Sequence, residues 1–164
     1  MINRGYKPSK NSQGFIDTLA PQLQEVIAEG FYIANTRKLY CPDISIVRGF
    51  ETASGQFELF KIGRVKTHPL SSKYPVYVKA DPDAKTVTNC DGYKQISDHQ
   101  QTDINGKAFA FDYAAWVNGT SYEAGHMALI ATVFFEAASN QGKVIDWGGS
   151  YRSISDGSHI SLII

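Results

Sequence analysis

Two histidines and two aspartates carry the chemistry this sequence offers: His99, Asp112 and His159, with Asp156 three positions before the last histidine. Two imidazoles and one carboxylate are the donor set of a catalytic zinc site, because three protein ligands leave a fourth coordination position for water. Asp156, in the run Asp156-Gly157-Ser158-His159, is suited to act as the base for that water. The pattern points to a metal-dependent hydrolase. Taken alone, Asp156 also fits a turn residue before Gly157, and His68 and His126 read as structural or surface histidines.

The chain that must position these groups has 164 residues. That length suffices to bury roughly two thirds of the unfolded surface without staples, so a single domain over 1–164 is expected. Sixteen basic and sixteen acidic residues cancel. With no basic run, neither a nucleic-acid partner nor a cationic membrane patch is expected. No apolar stretch approaches the roughly 18 residues of a membrane span, so membrane insertion is not expected either. The first residues lack the apolar core of a secretory signal, and the expectation is a protein made and held in the cytoplasm until something releases it. Cys41 and Cys90 sit in no CxxC pair and are expected as free thiols.

Phe15, Leu19, Leu23, Val26 and Ile27 recur at helical spacing, with Pro21 in the first turn and Gly30 as the stop, which predicts one amphipathic helix. Residues 43–50 alternate as a strand, and Thr52 or Ser54 caps a short helix carrying Phe57, Leu59, Phe60 and Ile62 and closed by Gly63. Residues 67–95, with Pro69, Pro75 and Pro82, read as a loop excursion holding at most a small hairpin. Residues 107–113 form a strand with Ala108, Ala110 and Asp112 on one face and Phe109, Phe111 and Tyr113 on the other.

Thr120-Ser121-Tyr122-Glu123 matches a capping box before a helix with Met127, Ile130, Phe134 and Ala137 on one stripe, ending near Gly142. Residues 143–147 and 157–164 read as two further strands. Helices come first and antiparallel strands late. The expected class is therefore α+β, a small antiparallel sheet with helices packed on one side and the zinc site on the open face.

In chain order these segments resemble the M15 family of zinc peptidases, the D-Ala-D-Ala carboxypeptidase and L-alanyl-D-glutamate endopeptidase group that includes phage endolysins. The likeness runs from about Phe15 to the end. Ile46-Val47-Arg48-Gly49-Phe50-Glu51-Thr52 with Gln56, then Gly63-Arg64-Val65-Lys66-Thr67, is similar to the family's strand and following helix. Ser97-Asp98-His99 resembles its SxH element and Ala108-Phe109-Ala110-Phe111-Asp112 its GxAxD element, which carry the first two metal ligands. Trp147-Gly148-Gly149 resembles its WGG turn, and Asp156-Gly157-Ser158-His159-Ile160-Ser161-Leu162 its closing element with base and third ligand.

The resemblance implies Zn2+ held by His99, Asp112 and His159, Asp156 as general base, and a peptidoglycan stem peptide as substrate. It also implies a monomeric lysin of the phage type, made in the host cytoplasm and acting on the wall after release. Three departures stand out. His99 and Asp112 are thirteen positions apart, where the compact motif has seven, so residues 100–105 must bulge out as a loop. Glu51 stands where the family carries an arginine, with Arg48, Arg64 and Ser97 as candidates to support substrate or oxyanion in its place. Ser161 replaces a glutamate. A catalytically impaired relative that binds wall peptides, or an assembly protein using residues 67–95 as its contact surface, are the alternatives to an active peptidase.

Overall fold

Phe15, Leu19 and Leu23 share a helical spacing but do not share a helix. The computed structural model describes residues 8–36, 41–62, 86–152 and 156–164. Helix α1 (Lys10–Ile16) starts at Ser9, whose Oγ accepts the Ser12 N–H, and helix α2 (Pro21–Thr36) begins afresh. Pro21 explains the interruption, since a proline turns the residue before it away from the helical region. The intervening backbone is used elsewhere. Ala108 N–H donates to Thr18 O at 2.9 Å, and Ala20 N–H donates to Ala108 O at 2.9 Å.

The expected stop at Gly30 is also corrected. Gly30 lies inside α2, and a Cβ there would sit 2.7 Å from Cδ1 of Phe134. Glycine is present to let the next helix approach.

Strands β1 (Asp43–Arg48), β2 (Ala110–Trp116), β3 (Thr120–Ser121), β4 (Ile145–Trp147) and β5 (His159–Leu162) form an antiparallel sheet in the order β1-β2-β5-β4, with β3 paired to β2. Helix α4 (Ala124–Asn140) buries Met127, Ile130, Phe134 and Ala137, the stripe expected from sequence. Phe134 meets the rings of Phe111 at 5.1 Å and Tyr113 at 5.5 Å edge-on. With Ile44, Ile46, Ala115 and Ile160, these residues join Leu23, Val26 and Ile27 in one core. The expected α+β architecture is observed, and β2 runs three residues beyond Tyr113.

The capping box expected at 120–123 does not form. Asn118 (φ 55) and Gly119 (φ 140) both adopt positive φ and close a hairpin, so Thr120 and Ser121 pair with β2 instead. Glu123 takes over as cap, accepting the Gly125 N–H at 3.2 Å. The long gap before Asp112 is likewise more ordered than a loose bulge. Asp103 Oδ1 accepts the N–H groups of Asn105 (2.8 Å) and Lys107 (2.9 Å), and Thr102 bridges Ala108.

By its contacts the chain divides into two compact units, one drawn from residues 1–50 and 102–164 and one from 51–101. The second contains helix α3 (Ala53–Lys61), N-capped by Thr52 as expected. Buried Gln56 donates through Nε2 to Thr88 Oγ1 and Cys90 O, tying α3 to the irregular segment that follows. There, Asp91 Oδ1 accepts the N–H groups of Tyr93, Lys94 and Gln95. Gly63 and residues 67–85 of the expected excursion lie outside the described residues. Among the described residues, neither Cys41 nor Cys90 takes part in a disulfide.

Candidate metal centre

Alternation along β2 decides where Asp112 points. Phe111 and Tyr113 belong to the helix-covered core, so Asp112 projects from the opposite face. The β2–β5 register sets His159 directly across from Asp112, while Ile160 turns into the core. His159 Nδ1 and Asp112 Oδ1 consequently lie 3.2 Å apart, with both side chains largely buried. That distance suits a hydrogen bond. It also suits a shared ion, because two donors at about 2.0–2.2 Å from one tetrahedral zinc are separated by roughly 3.3 Å.

Arg48 reaches the same face through an irregularity that sequence does not reveal. Ile46 pairs with Tyr113 and Arg48 with Asp112, so Val47 is an extra residue in β1. Without it Arg48 would share the inward parity of Ile44 and Ile46. The bulge re-aims Arg48 across the strand pair. Its Nη1 stands 3.7 Å from Asp112 Oδ2, so the two carboxylate oxygens face different partners, a guanidinium and an imidazole.

Asp156 is held by its own turn. Its N–H donates to Gly148 O (3.0 Å), its carbonyl accepts the His159 N–H (3.1 Å), and Ser158 Oγ donates to its Oδ1 (2.9 Å). Trp147 Nε1 donates to Gly157 O at 2.8 Å, which fastens the same turn from the end of β4. Gly148 opens the 3-10 segment Gly148–Ser150 and leaves the space required. A Cβ there would lie 2.5 Å from Asp156 O and 3.1 Å from His159 Cβ.

Two tyrosines that the motif reading did not include border these groups. The Tyr151 ring centre lies 6.3 Å from that of His159. Burial first, and then the Asp112 carboxylate, push the Tyr122 phenol above the ordinary tyrosine range. Neither has a sequence signature. Behind the site, Tyr113 donates its hydroxyl to Met127 O at 2.7 Å, and burial pushes that phenol up strongly.

His99 belongs to the 51–101 unit, where it is buried on the 3-10 segment Asp98–Gln100. A capping box that the sequence reading passed over shapes this segment. Ser97 Oγ accepts the His99 N–H at 3.4 Å, Gln100 Oε1 accepts the Ser97 N–H at 3.0 Å, and Gln100 Nε2 reaches Gly92 O at 2.9 Å. The pattern Ser-x-x-Gln would have signalled it. Ser97 is thus occupied in holding the backbone of His99. Glu51 N–H donates to His99 O at 3.0 Å, and the Glu51 carboxylate accepts the Thr52 N–H at 2.9 Å beside Gly55. An anion is favoured at that end of α3 by the helix N–H groups.

Arg64 and His68 lie outside the described residues. His126 Nδ1 sits 3.3 Å from both Glu123 Oε2 and Ser121 Oγ, a local arrangement at the start of α4. Ser161 is buried opposite Ala110 on β2 and Asp146 on β4.

Among solved structures the chain is similar to the crystal structure of the Serratia marcescens L-Ala D-Glu endopeptidase ChiX. The TM-score is 0.61 at 21% identity, over 94% of this chain and 88% of that one. The α+β fold is therefore the fold of that peptidase. No family model matches the chain, and no curated protein matches it. Among the described residues no helix is long and apolar enough to cross a membrane.

Proposed function

We propose that this protein is a zinc-dependent peptidoglycan peptidase of the M15 type that cuts stem peptides, with both compact units parts of one catalytic domain. The observation that carries the reading is the Asp112–His159 pair, set 3.2 Å apart by strand register, on a fold shared with an L-Ala D-Glu endopeptidase. His99, Asp112 and His159 are the proposed ligands, a donor set of two imidazoles and a carboxylate suited to a metal ion. When bound, zinc would supply a water of pKa lowered toward about 7 and polarisation of the scissile carbonyl.

The chain's own residues do the rest. Asp156 takes the proton of the attacking water and delivers it to the leaving amine, and with Oδ1 engaged by Ser158 the proton is carried on Oδ2. Arg48 orients the Asp112 carboxylate and offers positive charge where Glu51 cannot. Arg64 is a further candidate for that support. On this reading the protein acts as a monomeric lysin of the phage type, reaching the wall after release from the host cytoplasm.

Metal analysis together with digestion of purified peptidoglycan, followed by mass spectrometry, tests the proposal. Wild type should hold about one equivalent of zinc, a stoichiometry that follows from one three-ligand site. His159→Ala should lose the metal. Asp156→Asn should keep it while turnover falls by about 10²–10⁴, the range for a lost general base. A wild-type protein that holds zinc yet releases no new amine from the wall would make the chain a wall-peptide-binding relative rather than an enzyme.

A further inference from the structure

Trp116 is 53% exposed, unusual for a residue type that is mostly buried. It shares the face of Asp112 on β2, since both alternate with the core residues Phe111, Tyr113 and Ala115. Register places Asp43 of β1 on one side of it and Thr120 of β3 on the other, and sets Ser45 of β1 against Ala114 in the next row toward Asp112. Trp116 lines a cleft of about 210 Å³ together with Ser9, Ser12, Asp43, Ile44 and Ser45. Two of those hydroxyls have structural duties: Ser9 caps α1, and Ser12 Oγ accepts the Ile46 N–H of β1 at 3.2 Å. Asp43 and Ser45 remain as the polar groups available to a ligand beside the ring.

An aromatic face with a carboxylate and a hydroxyl at its rim is the chemistry that recognises a pyranose. The electron-rich face takes the sugar's polarised C–H groups, while the rim groups take its hydroxyl and amide hydrogens. The cleft is smaller than the roughly 300–1,000 Å³ of drug-sized pockets, so it suits one ring and no more. Its position is informative as well. Trp116 stands four positions beyond Asp112, about 13 Å along the strand. In a wall muropeptide the L-alanyl carbonyl is joined to its sugar by one residue and a lactyl link, about 7 Å by residue lengths. The ring's own width supplies much of the remainder. The D-alanyl end of the stem lies several residues further from the sugar and does not match.

We propose that this cleft is a subsite for a single N-acetylated amino sugar stacked on Trp116. The preferred substrate is then a sugar-linked stem peptide cut at its L-alanyl-D-glutamate bond. This inference rests on the peptidase reading for its substrate, but sugar binding can be tested without turnover.

The probe is the peptide-free disaccharide of N-acetylglucosamine and N-acetylmuramic acid, titrated into the full chain while the Trp116 indole N–H and the Asp43 and Ser45 amides are followed by NMR. A saturable shift confined to these groups is expected, and Trp116→Ala should weaken binding by about tenfold. Asp43→Asn serves as a second variant that leaves the ring in place, and it too should weaken binding. No shift at the Trp116 indole, or shifts that survive Trp116→Ala unchanged, overturns the subsite. In a kinetic arm, wild type should show a lower KM for the disaccharide-linked stem peptide than for the free one, and equal values would overturn the preference. If neither peptide is cleaved, the peptidase reading fails while the titration still decides the cleft.

Discussion

Asp112 is the side chain on which most of the site converges, because its two oxygens serve two different neighbours. Oδ1 faces His159 and Oδ2 faces Arg48. At 3.7 Å the Arg48 contact is an ion pair without a short hydrogen bond, and both partners are mostly shielded from solvent. A double-mutant cycle of Arg48→Ala and Asp112→Ala in metal-free protein should give a favourable coupling of about 1 kcal/mol by urea denaturation. Zero coupling would mean that the bulge at Val47 brings Arg48 to this face without engaging the carboxylate. Gly148 makes a separate demand, for space. In Gly148→Ala the new methyl meets the Asp156 carbonyl and the His159 Cβ, and backbone must shift to admit it. We expect folding to be retained and zinc affinity to fall at least about tenfold, the scale seen when groups supporting a metal ligand are disturbed. Isothermal titration with zinc measures this, and unchanged affinity would show the turn to be more yielding than its hydrogen bonds suggest.

Helices and strands differ in how openly the sequence declared them. The α4 stripe was legible because a single face repeats over many turns, and β1, β2 and β5 because their alternation is strong. The break after α1 was not, since Leu19 keeps the spacing while Pro21 ends it and the freed backbone bonds a distant partner, Ala108. Gly30 was misread as punctuation for the same reason: a glycine that ends a helix and one that admits a neighbour look identical in sequence. Two effects oppose each other in Gly30→Ala. A helix interior gains about 1 kcal/mol from that change. Here the methyl would press on Phe134, whose ring is fixed between Phe111 and Tyr113. Overpacking costs about 1–3 kcal/mol, so net destabilisation should follow, and a raised urea midpoint would refute the close approach. At the candidate site, the neighbouring pair Asp112 and His159 could be picked out by residue type and order. The bulge that delivers Arg48 could not, because one extra residue inverts strand parity without leaving a compositional trace. Nor could the cap at Ser97, masked by its place in a motif suspected of chemistry.

For the molecule as a whole, formal charge sums to zero at neutral pH, so general self-repulsion is small there and acid sensitivity must arise from particular carboxylates. Asp91 and Asp103 are two such groups, one in each compact unit. Burial pushes the Asp91 carboxyl up, but the backbone N–H groups of Gln95, Tyr93 and Lys94 outweigh it and hold the group below its usual value. The N–H of Lys107, with that of Asn105, does the same for half-buried Asp103. A carboxyl whose folded value is depressed binds its proton more readily in the unfolded chain. Its stabilising contribution is therefore complete above the unfolded value, about 3.9, and disappears as pH falls through the folded one. Asp91→Asn keeps an acceptor but not the charge. The variant should be less stable than wild type by about 1–3 kcal/mol at pH 6–7, the worth of charge-assisted hydrogen bonds, and the two stabilities should converge as pH falls below about 4. Denaturation midpoints measured from pH 7 to pH 2.5 give the comparison directly. A gap that stays constant across that range would assign the loss to altered packing in the 86–95 segment and remove the ionised Asp91 as the source of its order.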